Sequence, residues 1–213
     1  MDDAKAIYLV GDVFDYWFEY GTVIPKGYSR LLGKLAELKD HGIPIYYFIG
    51  NHDMWMFSYL TDELGIPIYR GPIVEVIDGK KFYIGHGDGL GPGDHGYKII
   101  KSIFSNRFCQ WAFARIHPNL GIRIMKWVSS RSRHSHSDSD NFLGPEREWL
   151  VQFSESTLQE QEIDVFVFGH RHLPIDYVLS NGTSKYFNLG DWLQYFTYLE
   201  VDKGNPVLKT FNP

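Results

Sequence analysis

Apolar residues along the chain fall into short runs separated by loops rich in Gly, Asp, Asn and His. Residues 6–10 form an apolar run that ends in Gly11-Asp12, the pattern of a buried strand feeding a loop. From 29 to 40 the apolar positions Leu31, Leu32, Leu35, Ala36 and Leu38 recur at helical spacing, and Gly42 and Pro44 close the helix. A second buried strand at 45–49 runs into Gly50-Asn51-His52-Asp53. A short helix is expected at 54–64 and a strand at 66–69. Residues 73–77 and 81–84 read as a hairpin about Asp78-Gly79, a type I′ turn signal, with the second arm leading to Gly85-His86-Gly87-Asp88. After a helix at 146–161, the apolar strand 165–168 leads to Gly169-His170-Arg171-His172, and strands at 176–179, 184–188, 198–201 and 207–210 finish the chain. Strand, helix and strand at this spacing predict βαβ units and a largely parallel sheet. In open α/β sheets the loops at the C-terminal strand ends bind ligands, and the polar loops lie there.

Residues 95–130 break the pattern. Tyr97, Ile100, Ile103, Phe104, Phe108, Trp111 and Phe113 recur at roughly helical spacing, and a second apolar cluster runs from Ile122 to Val128. Two amphipathic helices with basic polar faces are expected, joined near 118–121, followed by a polar loop at 129–141. The implied division is a core of 1–94 and 142–213 with a basic helical insertion at 95–141.

At 213 residues, 44% hydrophobic and 22% charged, the chain suits one α/β domain with a small insertion. The composition excludes disordered, collagen-like and coiled-coil classes. Cys109 is the single cysteine, so a disulfide scaffold is excluded and a reducing, cytoplasmic compartment fits. The acidic start, Met1-Asp2-Asp3, does not read as a signal peptide. The net charge of −5 conceals an asymmetry: residues 95–137 hold eight basic side chains and no acidic one. Such a block commonly meets phosphate, nucleic acid or an anionic membrane surface, although a solvated basic face is an equal reading from charge alone.

Four loops carry the chemistry: Gly11-Asp12-Val13-Phe14-Asp15, Gly50-Asn51-His52-Asp53, His86-Gly87-Asp88 and Gly169-His170-Arg171-His172. Each places carboxylate, amide or imidazole just after a strand. Oxygen and imidazole donors without thiolate suit Mn, Fe, Zn, Co or Ni rather than a Cys-rich structural zinc. Taken singly, any of these residues reads as a satisfied loop cap; in this order they form a strong signal.

The order GDVFD, GNHD, HGD, GHRH resembles the calcineurin-like metallophosphoesterases over essentially the whole chain. The aromatic run Tyr16-Trp17-Phe18 and the basic helical insertion are similar to the UDP-2,3-diacylglucosamine pyrophosphohydrolases of lipid A synthesis. The resemblance implies a four-layer α/β/β/α sandwich with a helical lid. It implies two divalent ions, Mn first, with Asp12 bridging them, Asn51, His86 and His170 completing one site, and His172 belonging to the other. His52 would face the phosphate or leaving group, Asp53 would orient its imidazole, and Asp88 would support a ligand histidine. The lid would offer Phe104, Phe108 and Trp111 to acyl chains and Arg131 and Arg133 to the diphosphate, with the enzyme peripheral at the anionic inner membrane. His134 and His136 read as loop residues. The implied reaction is hydrolysis of UDP-2,3-diacylglucosamine to 2,3-diacylglucosamine 1-phosphate and UMP.

The chain departs from the family in one motif. An Asp-x-His ahead of the first Gly-Asp loop has no counterpart, since only Asp2 and Asp3 precede Asp12 and neither has a His two residues on. The expectation is therefore a missing first strand, a first metal site reduced to Asp12 and His172, as few as one bound ion, and a sheet edge open to dimerisation. Two rival readings accompany this one: a nucleotide or nucleic-acid phosphodiesterase, disfavoured by the continuous apolar stripe, and a non-catalytic metal- or lipid-binding remnant.

Overall fold

The computed structural model describes residues 4–92, 95–135 and 141–212, with backbone alone for 95–97, 99–100 and 130–135. The chain divides into two compact units, Met1–Gly71 with Gly96–Ser137, and Pro72–His95 with Asp138–Pro213.

The first unit is built on a parallel three-stranded sheet, β1 (Ile7–Val10), β2 (Ile45–Phe48) and β3 (Ile68–Tyr69), in that spatial order. Helix α1 (Ser29–Asp40) connects β1 to β2 and buries Leu35 and Leu38, the face its apolar spacing predicts. The core adds Phe14, Trp17, Ile45, Tyr47, Met56, Leu60 and Ile66. Full burial of each large side chain is worth about 1.5–3 kcal/mol. Phe14 and Trp17, both fully buried, therefore anchor the loop after β1 to this core. The expected helix at 54–64 is shorter: α2 spans Tyr59–Leu64. Residues 54–56 instead form a turn in which Trp55 bridges Phe18. The physical reason is a remote cap, because Glu19 Oε2 accepts from Ser58 N (2.8 Å) and Tyr59 N (3.2 Å), satisfying the orphan donors of α2 at that point.

Among its described residues the insertion holds three helices where two were expected: α3 (His95–Ser105), α4 (Arg107–Phe113) and α5 (Pro118–Ser135). Asn106 makes the extra break, its side-chain oxygen accepting from Phe108 N (2.8 Å) and Cys109 N (3.3 Å). Residues 118–121 are the first turn of α5 rather than a joint, and 129–135 continue that helix rather than forming a loop. Proline is favoured in a first helical turn, where its missing N–H would find no partner anyway.

The second unit carries a five-stranded mixed sheet in the order β4 (Ile73–Ile77), β5 (Lys80–Gly85), β6 (Val165–Phe168), β8 (Lys185–Leu189) and β7 (Pro174–Val178). Only β5-β6-β8 is parallel; β4 and β7 pair antiparallel at the edges, so the sheet is less parallel than expected. The turn between β4 and β5 has positive φ at both Asp78 and Gly79, as a type I′ turn requires. Helix α6 (Trp149–Leu158) buries Leu150 and Val151 against Phe166, Phe168, Tyr186 and Ile175. A two-stranded ribbon, β9 (Thr197–Asp202) with β10 (Asn205–Thr210), completes the unit.

Candidate metal centre

The GDVFD and GNHD loops lie in the first unit and the HGD and GHRH loops in the second, each at the C-terminal end of a strand. In the first unit, Asp12 has a left-handed backbone, φ +53°, and its Oδ1 accepts from His52 N at 2.7 Å. Gly50 permits this approach: a Cβ there would lie 2.2 Å from Asp12 Oδ1 and 2.6 Å from Asp12 N. Partly buried Asn51 follows in the same loop.

Asp53 is fully buried and bonds the two loops together. Its Oδ1 accepts from Gly50 N (2.6 Å), and its Oδ2 accepts from Val13 N (3.0 Å) and Tyr47 Oη (2.5 Å). Burial, reinforced by the Asp53 and Asp12 carboxylates, holds the Tyr47 hydroxyl well above the usual tyrosine range, so it remains a donor. Asp53 was expected to orient the His52 imidazole. The ring instead has His52 Nδ1 3.0 Å from the Asp15 carbonyl oxygen and 3.0 Å from Ser129 Oγ on α5. A carbonyl only accepts, so Nδ1 carries the proton and Nε2 is left as the ring's other functional atom.

In the second unit, buried His86 and half-buried His170 bring their rings together at 5.1 Å between centroids. The backbone locks this pairing, Gly169 N donating to the His86 carbonyl at 3.0 Å while Asn188 Nδ2 donates to the Gly169 carbonyl. Asp88 is buried in the same loop. Gly87, at φ +106°, packs where a Cβ would meet Leu150 at 3.0 Å. His172 Nδ1 lies 3.8 Å from Asp191 Oδ2, and Asp191 Oδ1 gathers the backbone N–H groups of Leu193, Gln194 and Tyr195 at 2.7–3.1 Å.

This donor set fits divalent cations. Carboxylate, amide and imidazole groups suit such ions, and three of the candidate ligands, Asp12, His170 and His172, are non-glycine residues at φ +53° to +58°. Such conformations cost on the order of 1–3 kcal/mol each and persist where the surroundings over-determine them. The cradle at Gly50 is the second sign, since any side chain there would occupy the space beside the Asp12 carboxylate.

The expected lid residues separate into two groups. Phe104 packs on Trp55, with ring centroids 5.0 Å apart, and its carbonyl accepts from Trp55 Nε1 at 2.7 Å. Phe108 and Trp111 remain 71% and 54% exposed, stacked at 5.8 Å, with Arg115 over the Trp111 ring at 4.9 Å. The side chains of Arg131, Arg133 and His134, and all of His136, Asp2 and Asp3, lie outside the described residues. Sequence reasoning missed Tyr47, Ser129, Asp191 and the Glu148–Arg171 pair. Asp191 alone had a signal, since Gly190-Asp191 follows a strand just as Gly11-Asp12 does.

The family model for calcineurin-like phosphoesterases matches residues 2–174. The UDP-2,3-diacylglucosamine hydrolase of Porphyromonas gingivalis is 38% identical, covering 98% of this chain and 84% of its own length. The enzymes of that name from Edwardsiella ictaluri and Proteus mirabilis are each 27% identical, covering 93% and 89% of this chain and 76% and 78% of their own. Matching motifs and near full-length similarity agree: the chain belongs to the calcineurin-like phosphoesterases, a family of hydrolases that use divalent metal ions.

Proposed function

We propose that this chain hydrolyses the diphosphate of UDP-2,3-diacylglucosamine, releasing UMP and 2,3-diacylglucosamine 1-phosphate. The observation that carries the reading is the 38% identity to a hydrolase of that substrate over nearly the whole chain. Asp12 is proposed to bridge two divalent ions, manganese first, with Asn51, His86 and His170 on one and His172 on the other. Such ions, when bound, neutralise phosphoryl charge and lower the pKa of water. The protein's own part is orientation: Asp53 holds the two first-unit loops together, and the Asp15 carbonyl fixes His52 with Nε2 free for the phosphate or leaving group. A positioned imidazole of this kind contributes roughly 10²–10⁴-fold to a proton transfer.

The helices of the insertion are proposed to take the acyl chains, with exposed Phe108 and Trp111 as the apolar contacts; Arg131 and Arg133 are proposed as partners of the diphosphate on their charge in the sequence. Their basic residues suit an anionic lipid surface, where each nearby Lys or Arg adds about 1 kcal/mol of attraction. Among the described residues no helix is long and apolar enough to cross a membrane. The proposed attachment is peripheral, on the cytoplasmic face.

The test is UMP release from UDP-2,3-diacylglucosamine by the manganese-loaded chain, with single-stranded DNA as the competing substrate and H170A as control. The reading expects lipid diphosphate turnover that H170A loses. Cleavage of DNA alone, or turnover unchanged in H170A, refutes it.

A further inference from the structure

The loop that carries His170 and His172 is held by an ion pair outside the four motif roles. Arg171 sits between the two histidines, where an arginine in a phosphate-hydrolysing motif suggests a substrate clamp. Its guanidinium is instead engaged within the protein. Nε donates to Glu148 Oε2 at 3.1 Å and Nη2 to Glu148 Oε1 at 3.1 Å, a two-pronged contact with side-chain exposures of 7% and 3%. Nη2 also lies 3.4 Å from the Asn141 carbonyl. Glu148 is the cap residue of α6, so the pair ties the loop to the start of a helix whose next residues are core. Trp149, immediately after it, sits beneath the guanidinium at 6.0 Å and meets the His170 ring edge-on at 6.5 Å.

The backbone needs such a tie. His170 and His172 both hold φ in the left-handed region, and Arg171 N reaches back to the Gly169 carbonyl at 2.6 Å. Left to itself, such a turn relaxes toward ordinary dihedrals and redirects the side chains it carries.

We infer that the Arg171–Glu148 pair is a positioning device that holds His170 and His172 ready for metal, rather than a phosphate contact. The inference rests on the metal-ligand reading above. Residues that orient metal ligands typically contribute about 10–100-fold to metal affinity.

The experiment uses the full chain, stripped of metal, titrated with Mn²⁺ calorimetrically, and melted in the absence of metal. The double variant E148L/R171M replaces the pair by apolar side chains and leaves no buried charge, an exchange that folded proteins tolerate well. The expected result is a metal-free Tm close to that of the parent with Mn²⁺ affinity reduced about 10–100-fold. R171K keeps the charge but not the fork, and is expected to lose affinity by a smaller factor. Parent-like Mn²⁺ affinity in the double variant overturns the proposal. If the double variant does not fold, R171K decides it by the same criterion: weaker Mn²⁺ binding at unchanged metal-free Tm supports it, and unchanged binding overturns it. H170A separates the two levels of argument. Loss of binding in H170A without loss in the pair variants removes the positioning role alone, whereas H170A binding Mn²⁺ like the parent removes the metal reading beneath it.

Discussion

Gly50→Ala tests the packing of the first-unit loops most directly. The added Cβ would stand 2.2 Å from Asp12 Oδ1, 2.7 Å from Asp12 Cγ and 2.6 Å from Asp12 N. Ordinary carbon contacts begin near 3.5 Å, so the loops must part by roughly 1 Å. Rotating the Asp12 side chain does not relieve the clash, because its backbone nitrogen is also too close. Glycine's dihedral freedom is not at issue, since Gly50 is absent from the positive-φ glycines and alanine meets no backbone penalty. The displacement strains two contacts, His52 N to Asp12 Oδ1 at 2.7 Å and Gly50 N to Asp53 Oδ1 at 2.6 Å. Overpacking costs about 1–3 kcal/mol, and weakening a hydrogen bond to a charged group about 1.5–3 kcal/mol. Together these predict about 2.5–6 kcal/mol, or a Tm lower by about 5–24 °C for a chain of this length. The control is Gly33→Ala in α1, where nothing lies within 4 Å of the added methyl. That change should raise stability by about 0.5–1 kcal/mol. Thermal melting of both variants, followed by Mn²⁺ titration, checks the reasoning. A Gly50→Ala protein that melts and binds Mn²⁺ like the parent refutes it.

Two further outcomes follow from local chemistry. Asn106→Ala removes the cap of α4 and should lower stability by about 0.5–2 kcal/mol, while Asn106→Asp keeps it; thermal melting distinguishes them. The raised pKa of buried Tyr47 makes stability pH-dependent on the alkaline side. Below the ordinary value of 10.0 both folded and unfolded forms are protonated and the contribution is whole. Above it the unfolded chain ionises first and stability falls. Tyr47→Phe should therefore show a shallower loss of Tm between pH 9 and pH 11 than the parent, as a melting series across that range would record.

Elements whose signal is local were legible. The apolar runs that became β1, β2 and β6, the α1 stripe and the Asp78-Gly79 turn all follow from side-chain period and turn chemistry acting over a few residues. Two of the misreadings share a cause, which is a partner far along the chain. Residues 54–56 look helical until Glu19 caps the later start of α2 and Trp55 pairs with Phe18. The antiparallel edges β4 and β7 cannot be told from parallel strands, because strand direction is set by the neighbour and leaves little trace in the strand itself. The exception is Asn106, a local cap whose signal was present but weaker than the apolar stripe running through it.

The same division runs through the site. By itself the sequence determined which chemistry is available, because Asp, Asn and His beside glycine after successive strands can serve as oxygen and nitrogen donors wherever the chain goes. It also determined the family, since order and residue type along the chain carry that resemblance. Tertiary structure alone decided how each group is used. Asp53 became a brace between two loops, His52 took its partners from Asp15 and from Ser129 on α5, and Arg171 became buried against Glu148. A side chain's role depends on which polar groups burial leaves within about 3 Å. For His52 and Arg171 that distance is set by packing between residues 23 to 77 apart, which no local pattern encodes.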